Sequence, residues 1–334
     1  MQFESHRLFL RRNALGVLRA ALAGALLIGA GAAASASEYP DHPIKMIVPF
    51  PPGGATDVVS RLLAKSMSEQ LGQPIVIDNR AGAGAVIGSE AVAKAEPDGY
   101  TLLSSTAGVH IVNPAIYAKL PYDPQKSFTP VSQFVAAPLT LAVLANSPFK
   151  TVQELVAYAK AHPGKLTYGT AGNGSSLHQS GEMFKDAAGV NILHVPYKGA
   201  GPAMNDFLGG QVDMMFSYVG SILPGVKSGR LRMLAVGSPK RLAVIADVPT
   251  IAEALNKPGY DSDTWTGLVV PAKTPAAIVN RLNKAAAFAL EQNRPYLESS
   301  GYVLIGGTPQ QMEERIATEL KTVTPLLAKI MKTP

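Results

Sequence analysis

The sequence predicts an α/β protein of two lobes, each an open, mostly parallel sheet flanked by helices. Short apolar runs that suit buried strands alternate with amphipathic helical stretches, as parallel strands joined by crossover helices require. The chain has 334 residues, more than one hydrophobic core comfortably serves. One design also occurs twice: a strand leaves through a glycine-rich turn with hydroxyls and runs into a helix.

The first element is a leader. Arg7, Arg11, Arg12 and Arg19 accompany an uncharged Ala/Gly/Leu stretch that ends at Ala34-Ser35-Ala36, the order of an export signal over residues 1–36. The pair Arg11-Arg12 leaves twin-arginine export open beside the general secretory route. There is no cysteine, which excludes a disulfide framework, a catalytic thiol and a lipid anchor at the cleavage site. A free periplasmic protein is expected, and a monomer. Cleavage removes four arginines and one glutamate and takes the formal charge from +6 to +3. With no basic run interleaved with aromatics, nucleic acid is not an expected partner.

In the first lobe "PIKMIVPF" is a strand. "DVVSRLLAKSMSEQLG" is a helix, because Val58/Val59, Leu62/Leu63, Met67 and Leu71 recur at three-to-four spacing and Gly72 follows. "QPIVIDN" is a strand, "AVIGSEAVAKA" a helix and "PDGYTLLSST" a turn running into a strand. The second lobe follows "TPVSQFVAAPLTLAVLANSPFK". Its helices are "TVQELVAYAKAH", "SLHQSGEMFKDAAG", "PAMNDFLGG" and a short one near "SILPGVKSG", set among the strands "KLTYGTA", "NILHVPY", "QVDMMFS" and "RLRMLAVGS". "YDSDTWTGLVVPAKTP" then leads into two long helices, 275–293 and 309–331. Thr274 and Thr308 are the expected N-caps, with Pro275 and Pro309 at the first helical position, and Thr250 with Glu253 has capping-box spacing.

This order places lobe 1 at 37–140 and 264–334 and lobe 2 at 141–263. "PLTLAVLANSP" and "DTWTGLVVPA" are the expected crossings. Open α/β sheets bind ligands beyond the carboxyl ends of their strands, so two such lobes would face each other across a cleft and close by a hinge.

The twice-used turn is the candidate site. "PFPPGGATD" offers Gly53, Gly54, Ala55, Thr56 and Asp57, with the unpaired amides of the helix start. "YGTAGNGSS" offers Thr170, Ala171, Gly172, Asn173, Gly174, Ser175 and Ser176. Neutral donors of this kind can grip a carboxylate without a lysine or arginine, each charge-assisted bond contributing about 1.5–3 kcal/mol. Ser105, His178, Tyr197, Lys198 and Gly199 complete the candidate set, and the distal end of a ligand would be read around Ser104–His110, Tyr197–Gly201 and Tyr218. Two readings of Asp57 stand, N-cap of the first helix or contact to a ligand amine. Two stand for His178, ligand contact or a histidine satisfied by local backbone. Lys198 is expected to be exposed, Trp265 to be core and Asp213 to bind backbone nearby.

Other chemistry lacks its residues. "AGAGAVIG" departs from a dinucleotide fingerprint, since Ile87 stands where a glycine is needed, the unit is the second strand-helix pair, and no acidic residue ends a strand about 20 positions on. Close packing of helix on strand accounts for Gly82, Gly84 and Gly88. There is no G-x-S-x-G and no H-E-x-x-H, and the histidines lack metal-ligand spacing. No cofactor, metal or catalytic residue is expected.

"YPDHPIKMIVPFPPGGATDVVSRLLA", "NRAGAGAVIG", "PDGYTLL", "YGTAGNG", "HVPYKGAGPAMNDFLGGQVDMMF", "DVPTIAEA" and "WTGLVVPAKTP" resemble, in that order, the Bug-type substrate-binding receptors of tripartite tricarboxylate transporters. The resemblance implies a type II-like periplasmic-binding-protein fold of the Venus flytrap kind. It also implies capture of a small carboxylate by the two glycine-rich loops, and delivery to the membrane subunits of a transporter. The family usually has "NRPGAGG", where Ala81 and Ala85 stand here, which leaves the shape of that loop open. A sensor-input protein on the same fold, reporting ligand to a signalling partner, is the alternative.

Overall fold

The computed structural model describes residues 39–331; the leader at 1–36 lies outside them. The first lobe runs β1 (Ile44–Val48), α1 (Ala55–Leu71), β2 (Ile75–Asn79), α2 (Val86–Ala93), β3 (Thr101–Thr106), α3 (Asn113–Ile116) and β4 (Phe128–Ala137). The second runs β5 (Leu139–Leu144), α4 (Val152–Ala161), β6 (Thr167–Thr170), α5 (Ser176–Ala188), β7 (Leu193–Pro196), α6 (Ala200–Leu208), β8 (Met214–Tyr218), α7 (Val219–Lys227), β9 (Leu231–Val236) and α8 (Ile251–Leu255). The chain returns through β10 (Thr264–Pro271), α9 (Ala276–Ser299), β11 (Val303–Leu304) and α10 (Pro309–Ile330).

Local signals act where the spacing placed them. Val59, Leu63, Met67 and Leu71 of α1 are buried, and Gly72 ends the helix with φ 75°, its N–H on the Ser68 carbonyl. Capping boxes close on Thr250 with Glu253 and on Thr308 with Gln311. Thr274 does not cap α9. Its hydroxyl turns back to the Pro271 carbonyl at 2.8 Å, and Pro275, extended at ψ 138°, holds the N-cap position.

The sheets are mixed rather than mostly parallel. The first has the order β11-β4-β10-β3-β1-β2, the second β7-β6-β8-β5-β9. In each, the strand-helix-strand units pair parallel: β2 and β3 on β1, β7 and β8 on β6. The strands that carry the chain between sheets pair antiparallel, β10 with β3 and β4, β5 with β8 and β9. β5 enters its sheet directly from β4 of the other one, and β10 returns to the first sheet from the second lobe.

The passage between sheets is also shorter than 138–148. β4 ends at Ala137 and β5, already in the second sheet, begins at Leu139, so only Pro138 separates them. The return strand lies beside the outgoing one, with Thr264 paired to Ala137. Each sheet has its own core. Trp265 is fully buried in the first, its indole N–H donating to Glu319 at 2.9 Å. Asp213 accepts from the backbone and hydroxyl of Thr167, each at 2.8 Å.

Candidate functional site

The first loop delivers an uncapped helix start. Gly54 is the N-cap of α1, with no side chain closing on the first turn, so the amides of Ala55 and Thr56 point out of the helix unpartnered. Thr56 is buried. Asp57 is not the N-cap; it sits in the first turn and is 2% exposed. Its Oδ2 accepts from the Gly53 amide and from Arg61 Nε, each at 2.9 Å, and its Oδ1 from Asn79 Nδ2 at 2.8 Å. Burial pushes this carboxyl up, but the bonds from Arg61, Asn79 and Gly53 outweigh it and hold the group below its ordinary range. Asn79 also donates to the Phe50 carbonyl at 3.0 Å, so Asp57 ties both ends of the loop to β2.

The second loop spends most of its donors on itself. The Gly172 amide donates to Thr170 Oγ1 at 3.2 Å and the Gly174 amide to His178 Nδ1 at 3.3 Å. The Ser175 hydroxyl donates to the Gly172 carbonyl at 2.7 Å and its oxygen caps the His178 amide. Ser176 Oγ pairs with Thr264 Oγ1 at 3.0 Å. The Asn173 side chain is exposed, and the amides of Ser176 and Leu177, both buried residues, begin α5 ahead of the capped His178 amide. Gly172 and Gly174 have φ of +113° and +76°, a region that L-residues avoid. There is little room at either: a β-carbon on Gly172 would stand 3.0 Å from the Tyr197 carbonyl, and one on Gly174 2.7 Å from Ile116 Cδ1.

Behind this loop His178 stacks on His194, which stacks on Tyr168. Thr170 Oγ1 and His194 Nε2 are 2.7 Å apart. Burial lowers His178 to about 4, and burial with its histidine neighbour lowers His194 to about 3. Both rings are therefore neutral props near pH 7. His178 Nδ1 accepts a local backbone amide, that of Gly174.

Ser105 is committed too. His110 Nδ1 lies 2.6 Å from the Pro124 carbonyl, which can only accept, so Nε2 accepts the hydrogen bond that the Ser105 hydroxyl donates at 2.8 Å. Burial lowers His110 to about 4. Tyr197, Lys198 and Gly199 leave the end of β7. Lys198 is exposed, and Gly199, the N-cap of α6, lies against Pro51 of the first loop.

The structure adds Asn113, which the sequence reading passed over, and singles out Thr106 within the expected stretch 104–110. Asn113, fully buried, donates to the Gly84 carbonyl and to the Tyr122 hydroxyl at 3.0 Å, while its Oδ1 has no partner and faces Gly174 and Gly84. The Thr106 hydroxyl is likewise buried and unpartnered. Gly84 lies against the Asn173 carbonyl, so "AGAGAVIG" packs against the second loop as well as on its own strand. Gly88 does the latter, a β-carbon there meeting the Arg80 carbonyl and Pro49 at 2.8 Å. Ala85, where the family usually has glycine, is buried in the left-handed region at φ 78°. The sequence signal for Asn113 is the dipeptide Asn-Pro that opens α3.

Each lobe thus presents one such helix start, and the lobes touch nearby, where Gly84 meets the Asn173 carbonyl, Gly174 meets Asn113 and Gly199 meets Pro51. The family described as Tripartite tricarboxylate transporter family receptor matches residues 59–331. The chain belongs to this receptor family. Its members are periplasmic binding proteins, not enzymes. The receptor is 35% identical to the periplasmic binding protein BugD, with a TM-score of 0.82 over 88% of this chain and all of that one. It is 37% identical, with a TM-score of 0.83, to the R. palustris protein Rpa4515 determined with adipate, covering 88% of this chain and 98% of that one. It is 32% identical, with a TM-score of 0.80, to MatC from Rhodopseudomonas palustris with bound malate, covering 88% and 100%.

Proposed function

We propose that this receptor captures a small carboxylate between its lobes in the periplasm and hands it to the membrane subunits of a tripartite transporter. The observation that carries the reading is the α1 start, where Gly54 leaves the Ala55 and Thr56 amides without a capping side chain. A helix N-terminus carries about half a positive charge, and its free amides fit an anion's oxygens. The Ser176 and Leu177 amides with Asn173 form the facing half. Thr106 and Asn113, buried and each with an unpartnered oxygen, read the far end of the solute. Relatives determined with adipate and malate make dicarboxylates the first candidates.

The lobes turn about the adjacent crossings at Pro138 and residues 261–263. Closure brings the two helix starts onto one ligand, and the closed form is what the membrane subunits recognise. A thermal-shift screen of mono-, di-, tri- and aromatic carboxylates tests the reading, since a ligand at about 100 times its dissociation constant adds about 2.7 kcal/mol. A dicarboxylate should raise the melting midpoint in a saturable way. No shift with any carboxylate would refute it.

A further inference from the structure

We propose that a cavity of about 360 Å³ beside the return crossing is a second binding site, for a small organic cation carrying several N–H donors, a primary ammonium or a guanidinium. It goes beyond the carboxylate reading and does not depend on it. Gln179 and Met183 of α5 form one wall, Arg315 and Glu319 of α10 another, and Asp261 and Asp263 of the crossing a third.

The hydrogen-bond inventory of these walls has a gap. Glu319 is satisfied: Oε1 accepts from Arg315 at 2.6 Å and Oε2 from Trp265 at 2.9 Å. The Arg315 charge is therefore already matched, and its guanidinium lies 5.7 Å from the Trp265 ring centre. Asp261 Oδ1 accepts the Asp263 amide at 2.9 Å. Three buried polar atoms remain, the Tyr260 hydroxyl and two acceptors. Gln179, 5% exposed, donates to Met183 Sδ but its Oε1 receives nothing, and Asp263 Oδ1 is buried without a donor.

Buried acceptors left without donors are costly, and an apolar occupant would not relieve them. The excess charge selects the sign. Asp186 and Asp261 line the cavity in addition to the matched Glu319 pair, and Asp263 adds a third carboxylate when it gives up its proton, so a carboxylate is repelled and a cation attracted. An ammonium supplies charge and donors together. Its grip would also join α5, whose start forms the second loop, to α10 of the other lobe.

The protonation of Asp263 agrees. Burial first, then Asp261, pushes its carboxyl up to about 8 against the pull of Arg315, and burial raises Asp261 as well. A cation must displace that proton, so binding should release it and tighten as pH rises from 6.5 to 8.5, within the range where about 8 is the folded value.

The test uses methylammonium, tetramethylammonium and the mature receptor. Trp265, the only tryptophan, is bonded to Glu319 at the cavity wall and reports occupancy by its emission. Methylammonium should bind saturably below about 50 mM and release a proton, seen by calorimetry in buffers of different ionisation heat. Tetramethylammonium, with the same charge and no N–H, should bind at least about tenfold more weakly. Asp263→Asn and Gln179→Met should each weaken methylammonium about tenfold or more while circular dichroism shows a folded chain. No saturable binding, equal affinity for tetramethylammonium, or an unchanged Asp263→Asn would overturn the proposal. Should a variant fold poorly, absence of proton release in the unsubstituted receptor overturns it alone.

Discussion

His178 lies flat on His194, the ring centroids 4.0 Å apart and the planes 11° from parallel. Two imidazoliums could not share that stack, so the second loop rests on a pair that has to stay neutral. Both folded values, about 4 and about 3, lie below the ordinary 6.5. A depressed histidine binds fewer protons folded than unfolded, so its stability is complete above about pH 6.5 and drains as the pH falls toward those values. Proton NMR should find both rings neutral at pH 5.5, and His178→Phe should flatten the acid side of the stability profile. A ring that titrates near 6.5 would refute the stack.

At Gly54 stability and binding should move in opposite directions. Its φ of −74° and ψ of 163° suit any residue, and a β-carbon there meets only the Pro51 carbonyl at 3.6 Å. Gly54→Asp should cap α1 and add a few tenths of a kcal/mol, yet remove carboxylate binding by placing a carboxylate on the same amides. Gly54→Asn, an uncharged cap, should also weaken binding. Calorimetry and melting curves on the same samples check both. Retained affinity in Gly54→Asp would exclude the α1 start as the seat.

Asp57 should matter to the fold of the first loop. Asp57→Ala takes the acceptor from the Gly53 amide and one acceptor each from Asn79 and Arg61, which keep the Phe50 carbonyl and Asn79 Oδ1, at a cost of about 1–3 kcal/mol. Since the folded carboxyl lies below its ordinary range, its contribution is full above about pH 5 and is lost as acid titrates it. The gap in urea unfolding between wild type and Asp57→Ala should therefore narrow as the pH falls below about 4. A constant gap between them would point to packing rather than charge.

Binding should need an ionised ligand but resist salt. The proposed contacts are short amide and hydroxyl bonds in a closed cleft, which are weakly screened. A dissociation constant of about 10⁻⁷ to 10⁻⁵ M is expected, with much weaker binding of the corresponding amide, which turns a donor toward donors. Titrations at low and half-molar salt decide it. A loss of about a hundredfold with salt would mean that a basic side chain holds the ligand.

Closure should be visible in solution. Scattering from the receptor with a saturating dicarboxylate should give a smaller radius of gyration than without it. Identical curves would exclude a hinge at the Pro138 crossing.

What the sequence by itself determined lies within a few residues of each position. The α1 stripe from Val59 to Leu71 and the boxes at Thr250/Glu253 and Thr308/Gln311 follow from helical spacing. So does the glycine-rich exit of β1 and of β6, because chain geometry fixes which atoms three and four residues apart can meet. The tertiary structure decided what those loops could still offer. Asp57 became a brace because Asn79, 22 residues on, reaches it. The donors of the second loop were taken by its own carbonyls and His178, and Asn113 came to face Gly174 from the other lobe. The pairing of β4 with β10 likewise joins segments more than 100 residues apart. No local pattern encodes such meetings, since they depend on where the chain re-enters a sheet, and that is settled by burying both cores at once.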